Sequence, residues 1–554
     1  MYSVPGASPP SQVAMRSSLT RRCVALLAAL GLFAGSITAQ EMKYAEREAM
    51  YQRYLEFSSL VKGGSIEPHW MADGSSFWYA EGAVPNTVIW RLDPRMNTKA
   101  PLFDVARLRR ALAVSLGHEP PGEGLPFHEF VFLNEEKSIR FTTGNNQFVL
   151  ELDSYTIAPV STLSPEDESR GTPQILKGVA GIAGGVEVRS PDGRWIATIQ
   201  DHNVWLRSTL DGRAVQLTRD GIDGYQWGPL WNSEWAWWSP DSAKLAVKKV
   251  DYREMPRIPI VNWLQAAEAV EWVYYNKTGE PVPQTELHVL DVQAKRTVRL
   301  ESGGAISPVS RSSTNLSWAT LNVVGWRRDV PELLFFRYGT EFKKGTEFAL
   351  NLLAANPDTG ASRVLITWAQ KTFIPPRQPT FLEDGKRFIW ISDRDGWDHL
   401  YLYDLDGRLL ERLTEGQFPV VSVRAIDDKA GWVYFTAHGD LQRPYDTHLY
   451  RVGLDGRGFT RLTEATGGHE IQFAPSKEFF LDTHSTVARP PEVELRRADG
   501  TLVRTVSRAD IGAPVTQLKW SSPEEFVVKA ADEHTDLYGV LYKPYDFDPN
   551  KKTR

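Results

Sequence analysis

Few residues of this 554-residue chain have the types and spacing that chemistry needs. Asp395, Asp398 and His399 stand close together, as a metal or acid/base site would require. In tight turns, however, Asp side chains accept hydrogen bonds from local backbone donors, so the cluster reads as a hairpin cap. His118, His128, His202, His469 and His484 are scattered and no His-Glu-x-x-His spacing occurs, so neither a metal nor another cofactor is expected. Glu135-Glu136 and Glu524-Glu525 are adjacent acid pairs, but neighbours on a strand point to opposite faces. Of Trp227, Trp231, Trp235, Trp237 and Trp238, only Trp227 and Trp231 fall outside an obvious strand. Those two are the candidates for an aromatic recognition surface, and the others read as core.

These residues sit in a globular, aromatic-rich chain. It is 42% hydrophobic and 24% charged, with 19 Trp, 19 Tyr and 24 Phe, and such rings suit pleated surfaces. Short apolar or alternating runs are separated by Asp-Gly pairs at 73–74, 192–193, 211–212, 384–385, 406–407, 455–456 and 499–500. Asp-Gly favours hairpins in which both turn residues take positive φ. A pattern of two strands, an Asp-Gly turn and a third strand ends at Leu413-Thr414, recurs 49 residues later at Leu462-Thr463, and has a fainter copy ending at Leu217-Thr218. That period marks propeller blades, each of which buries its faces on its neighbours. The expected fold is all-β, an eight-bladed β-propeller whose blades begin near Ile66, Phe127, Val188, Trp235, Leu316, Pro379, Val423 and Ile471.

Helices are expected at 45–60, 104–116 and 264–270, the last inside an insertion at 253–272. Residues 220–234 read as an excursion above the propeller face, the kind of segment on which propellers place binding residues.

The first 39 residues have the plan of a secretory signal: Arg16, Arg21 and Arg22, an apolar run from Cys23 to Ile37, and small residues at Ser36 and Ala39. Cleavage after Ala39 predicts a secreted or periplasmic protein; an uncleaved membrane anchor is the alternative, though the run is short for a span of about 20 residues. Cleavage removes the only cysteine, leaving neither disulfide nor thiol nucleophile. The net charge of −6 becomes −9 without those three arginines, so neither nucleic acid nor an anionic membrane is the expected partner. The expected organisation is a signal at 1–39, a helical lead-in at 40–62, the propeller at 63–515, and return strands at 516–554.

The stretch Ser392-Asp393-Arg394-Asp395-Gly396-Trp397-Asp398-His399-Leu400-Tyr401 resembles the Ser-Glu/Asp-Arg-Asp/Asn-Gly-Trp-x-His-Leu-Tyr motif of the dipeptidyl peptidase IV N-terminal domain, in the prolyl oligopeptidase group of serine peptidases. His448-Leu449-Tyr450 and Ser485 with Pro490-Pro491 stand in the family's order, and 238–242 and 275–283 are weaker matches. Residues 537–544 resemble the family's lead-in to its α/β-hydrolase domain. The resemblance implies a nucleophile serine in a Gly-x-Ser-x-Gly elbow on that domain, and these 554 residues contain no such sequence. It also implies a pair of glutamates that bind the substrate's N-terminal ammonium. The corresponding stretch, 225–231, has no acid, and Glu234 is the only carboxylate nearby. Tyr225, Trp227, Trp231 and Glu234 are therefore the candidate substrate-binding residues, and no residue is assigned to catalysis.

The leading expectation is a non-catalytic propeller half of a secreted serine peptidase that gates and binds peptides for an α/β-hydrolase domain, a separately encoded domain being one source of that partner. The alternative is a free-standing periplasmic propeller that binds peptide or protein with no enzymatic role.

Overall fold

The computed structural model describes residues 57–550 apart from 161–186, 229–233, 264–268, 303–320, 342–346 and a few isolated positions, with a few more between 48 and 55. The expected signal at 1–39 lies outside the described residues. The molecule is an all-β, propeller-like stack of antiparallel meanders. Eight sheets of four or five strands span 69–101, 130–159, 188–216, 225–299, 321–370, 380–412, 420–461 and 468–508, and two-stranded sheets lie at 257–274 and 524–541.

Clusters of buried apolar residues join neighbouring sheets. Phe388, Trp390, Tyr401 and Tyr403 join sheet 380–412 to Leu334, Leu352 and Trp368 of sheet 321–370. On the opposite face of the same sheet, Ile389, Leu400 and Leu402 pack on Val433, Phe435 and Val452 of sheet 420–461. The pattern continues through Tyr434, Leu449 and Phe480 to sheet 468–508. Phe479, Leu481 and Leu495 then meet Phe77, Tyr79 and Leu92 of sheet 69–101, so the last sheet packs on the first. Hydrogen bonds accompany that contact: Ser476 N donates to Gly74 O at 2.9 Å, and Arg95 Nη2 lies 2.8 Å from Glu478 Oε2.

The repeat seen in the sequence has a structural cause. Thr463 Oγ1 accepts Leu449 N at 3.0 Å and lies 3.2 Å from His448 Nδ1, which ties the outer edge of the sheet to the start of its third strand. Thr414 does the same with Leu400 N at 2.9 Å and His399 at 3.2 Å. In the fainter copy Thr218 accepts Val204 N at 2.9 Å, and Asn203 takes the histidine's place, accepting the hydroxyl at 3.2 Å.

Several expectations need correction. Each Asp-Gly glycine has a positive φ, between 63° and 93°, but none of the paired aspartates does. The aspartate carboxylate instead accepts a nearby backbone N–H, as when Asp384 Oδ1 takes Lys386 N at 2.8 Å and Asp455 Oδ1 takes Arg457 N at 3.0 Å. That bond keeps Asp on the negative side and leaves the left-handed position to glycine alone. The fourth sheet begins at Tyr225, not near Trp235, because Tyr225–Trp227 pairs with the strand Lys244–Asp251. The insertion at 253–272 is a hairpin of Arg257–Asn262 with Ala269–Tyr274, so the C-terminal end of the expected 264–270 helix is strand; 264–268 lie outside the described residues.

Two helical expectations agree with the structure. Val105–Leu116 is a helix capped by Asp104, whose carboxylate accepts Arg107 N, and it ends at Gly117 in the left-handed conformation. Phe57–Leu60 lies in the expected lead-in helix. A further helix, Gly512–Leu518, packs on it and straddles the expected boundary at 515.

Replacing Thr463 by Val removes the acceptor for a buried backbone N–H. The change should lower unfolding free energy by about 1–3 kcal/mol, measured by urea denaturation. Thr460→Val, at an exposed hydroxyl bonded only to Gly458 O, should stay within about 0.5 kcal/mol.

Candidate functional site

Around the fourth sheet the structure gathers charges that the sequence does not place together. Trp227 is 1% exposed and packs with Trp235, Trp238, Val204 and Leu245 between sheets 188–216 and 225–299. Its indole N–H donates to Asp220 Oδ1 at 2.9 Å. Asp220 Oδ2 lies 2.6 Å from the ammonium of Lys249, a buried side chain, and that ammonium sits 3.9 Å from the Tyr225 ring centroid and 5.1 Å from that of Trp227. The carboxyl of Asp220 is held below its ordinary range. Desolvation opposes that shift, and hydrogen bonds from Lys249 and Trp227 overcome it.

Glu286 completes the group. It lies 2.9 Å from His288 Nε2 and 3.2 Å from Arg299, and the Tyr225 hydroxyl reaches it at 3.4 Å. Asp220 and Glu286 are each matched by a cation, so neither is a free anion for a ligand ammonium. Of the candidates from sequence, Tyr225 is half-buried among cations, Trp227 is core, Glu234 is exposed, and Trp231 lies outside the described residues. Asp220, Lys249, Glu286 and His288 were missed, since Asp220 meets Lys249 across 29 positions of sequence with no local signal.

A second group lies in the last large sheet, 468–508. Asp482, His484 and Glu494 are buried, with ligand-type atoms within 4.8 Å of one another. Arg496 Nη2 occupies Glu494 at 2.7 Å, Arg489 Nη2 approaches His484 Nδ1 at 3.4 Å, and His469 Nδ1 takes Asp482 at 2.7 Å. Guanidinium and imidazole N–H groups thus hold much of the donor set, and the arrangement fits an ion-pair network better than a cation site.

The turns sort the molecule into two faces. All seven Asp-Gly pairs fall between first and second or between third and fourth strands of their sheets, and therefore on one face. The connections between second and third strands lie opposite and include the long ones: 252–283 with its hairpin, 393–398, 438–447 and 486–491. Asp395 and His399 act structurally there: Asp395 accepts the Tyr401 hydroxyl at 2.6 Å, and His399 Nε2 donates to Gly416 O at 3.0 Å. Asp398 pairs with Arg377 at 2.7 Å.

On this second face the C-terminal hairpin, Glu524–Lys529 with Asp536–Leu541, stands over the 438–447 and 485–487 connections, and a cleft of about 990 Å³ lies between. Arg443 links the two sides, 2.7 Å from Asp446 and 3.2 Å from Glu525. Tyr445 meets Tyr538 edge-on at 5.5 Å. Phe526, Val528, Leu537 and Leu541 share the face of the hairpin opposite Glu525 and Tyr538, and all four are exposed. The size of the cleft suits a peptide segment.

Because Trp227 is core, Trp227→Ala should cost about 3–5 kcal/mol of stability and lower the melting temperature by several degrees in a thermal scan. Unchanged melting would remove the ring from the core.

A family model described as the dipeptidyl peptidase IV (DPP IV) N-terminal region matches residues 131–491. Dipeptidyl-aminopeptidase B of Aspergillus niger is 23% identical over 446 residues, which cover 75% of this chain and 47% of that protein. The chain spans about half the length of the curated relatives it matches. Among solved structures, Porphyromonas gingivalis dipeptidyl peptidase 4 superposes with a TM-score of 0.57 at 20% identity, over 89% of this chain and 67% of that one. A Bacteroides ovatus protein assigned as a dipeptidyl aminopeptidase IV gives 0.60 at 19% identity, over 88% and 66%. At these identities the structural likeness speaks to the fold. The match of the family model over more than half the chain identifies the chain as a member of the dipeptidyl peptidase IV N-terminal region family.

Proposed function

We propose that this chain is the non-catalytic, peptide-gating part of a dipeptidyl peptidase IV-like serine peptidase, and that its cleft face receives an α/β-hydrolase domain. The observation that carries the reading is the C-terminal hairpin. A two-stranded sheet is marginal by itself, yet this one exposes Phe526, Val528, Leu537 and Leu541, and neither strand pairs with a third among the described residues. Apolar side chains on both faces are what a strand pair buried within a larger sheet carries. A free-standing binding propeller has no use for such a hairpin, so the hydrolase-docking reading is the stronger of the two.

In the same reading the eight sheets are the blades of a closed eight-bladed propeller. The packing of the last sheet on the first supports closure. The chain is secreted or periplasmic after loss of residues 1–39, and its ligand is a peptide or protein segment admitted along the cleft face. The paired charges around Asp220 and Glu286 argue that this ligand is not selected by a free N-terminal ammonium. No nucleic acid and no cofactor enters the proposal.

The purified chain should neither hydrolyse Xaa-Pro or Xaa-Ala chromogenic peptides nor be labelled by a serine-directed fluorophosphonate, because no Gly-x-Ser-x-Gly elbow is present to activate a serine. Stoichiometric labelling of any serine would overturn the non-catalytic assignment.

A further inference from the structure

His448 is fully buried, and its hydrogen bonds fix its protonation. Arg461 Nη2 donates to His448 Nε2 at 3.0 Å, which makes that nitrogen an acceptor. The ring proton therefore sits on Nδ1, 3.2 Å from Thr463 Oγ1. Arg461 does more than satisfy the ring. Its Nε donates to Thr463 O at 2.6 Å, its Nη2 reaches Glu464 O at 3.3 Å, and its Nη1 lies 3.7 Å from Asp440 Oδ2. One guanidinium thus pins the 438–447 connection and the 464–468 connection together. Asp446, bonded to Gly467 N at 2.8 Å and to Arg443 at 2.7 Å, carries that tie to the cleft.

We propose that His448 and Arg461 form a proton-operated latch on the propeller side of the cleft: a proton on His448 Nε2 displaces the Arg461 guanidinium and removes its tie between the two connections, leaving them held by Asp446 on Gly467 N and by the backbone bonds of Thr447. With Nε2 protonated, two N–H groups and two positive charges would face each other at 3.0 Å, and Arg461, 33% exposed where His448 is buried, is the partner that can move out toward water. The connections that Arg461 pins carry Arg443, Tyr445 and Asp446, which face the C-terminal hairpin. Release therefore loosens the hairpin's seat. The latch concerns the cleft but does not depend on what binds there.

The groups facing His448 set the working range. Arg461 and Thr463 come from its own sheet, Asp440 and Asp446 from the 438–447 connection, and from the next sheet the His469 ring at 5.0 Å, itself bonded to Asp482. Burial, then the Arg461 and His469 charges, push the His448 pKa down to about 4, against the pull of Asp446 and Asp440. The closed latch thus binds a proton less well than the open one. Closure is fully favoured above the ordinary histidine value near 6.5 and is lost as pH falls from there toward about 4. By pH 5 the preference for the closed form should drop roughly 30-fold.

Hydrogen–deuterium exchange of the whole chain, corrected for the intrinsic pH dependence of exchange, tests this. Between pH 7.5 and pH 5, peptides covering 438–447 and 464–468 should lose roughly 30-fold in protection, while those covering 203–218 should not change. His448→Asn should abolish the loss and still fold, because Asn203 fills the same place beside Thr218 in another sheet. Unchanged protection in the wild type, or an equal loss in His448→Asn, overturns the latch. Should the variant not fold, nuclear magnetic resonance of the wild-type histidines decides: His448 titrating near 6.5 while both connections stay protected would refute it.

Discussion

Burial on both faces of a sheet, as in sheet 380–412, is the constraint from which the rest of the structure follows. In the strand His399–Asp404 the first five residues are all buried, and since successive side chains point to opposite faces, both faces must be covered by protein. Sheet 380–412 meets this requirement with sheet 321–370 on one side and sheet 420–461 on the other. A chain of such sheets has two uncovered ends unless the last packs on the first, which is where Phe479 and Leu495 meet Phe77 and Leu92. No single sheet would be stable alone. Function is accordingly confined to what the sheets leave outside the stack, the connections at their two ends.

The elements legible in the sequence were those whose signal is local. Groups of short apolar runs, many of them marked by Asp-Gly turns, placed seven of the eight sheets within a few residues of their observed starts, because a turn and its flanking strands lie within one short window. The fourth sheet was misplaced because Tyr225–Trp227 is only three residues long, and the Gly228-Pro229 after it reads as loop. The arm strand Ala269–Tyr274 begins at the end of a run of Leu, Ala, Gln and Glu, strong helix formers, and only pairing with Arg257–Asn262 shows it as strand. Gly512–Leu518 was missed for the converse reason, since Gly, Pro, Val and Thr give it low helix propensity.

The site was less legible than the fold, and the reason is distance along the chain. Arg443 meets Glu525 across 82 positions, and no window contains both. Trp227 was read as a candidate contact from its place in a supposed excursion. Its strand register instead turns it into the core, and its polar atom is spent on Asp220. The histidine–threonine repeat was visible as a pattern, but its cause was not: Thr463, Thr414 and Thr218 each accept a backbone N–H from the strand beside them.

That clasp also explains why histidine and asparagine alternate at one structural position. The threonine hydroxyl needs a polar neighbour at the start of the third strand, and an amide oxygen serves as well as an imidazole nitrogen. What histidine adds is a second nitrogen, directed beyond the sheet. In sheet 380–412 that nitrogen meets Gly416 O, a neutral acceptor. In sheet 420–461 it meets Arg461, a permanent cation. The first arrangement is satisfied by a proton on Nε2 and the second is broken by one, so two copies of one structural repeat respond oppositely to a proton at the same ring atom. Only the second stands beside the connections that wall the cleft, which places the proton-sensitive copy where a change in loop packing reaches the C-terminal hairpin.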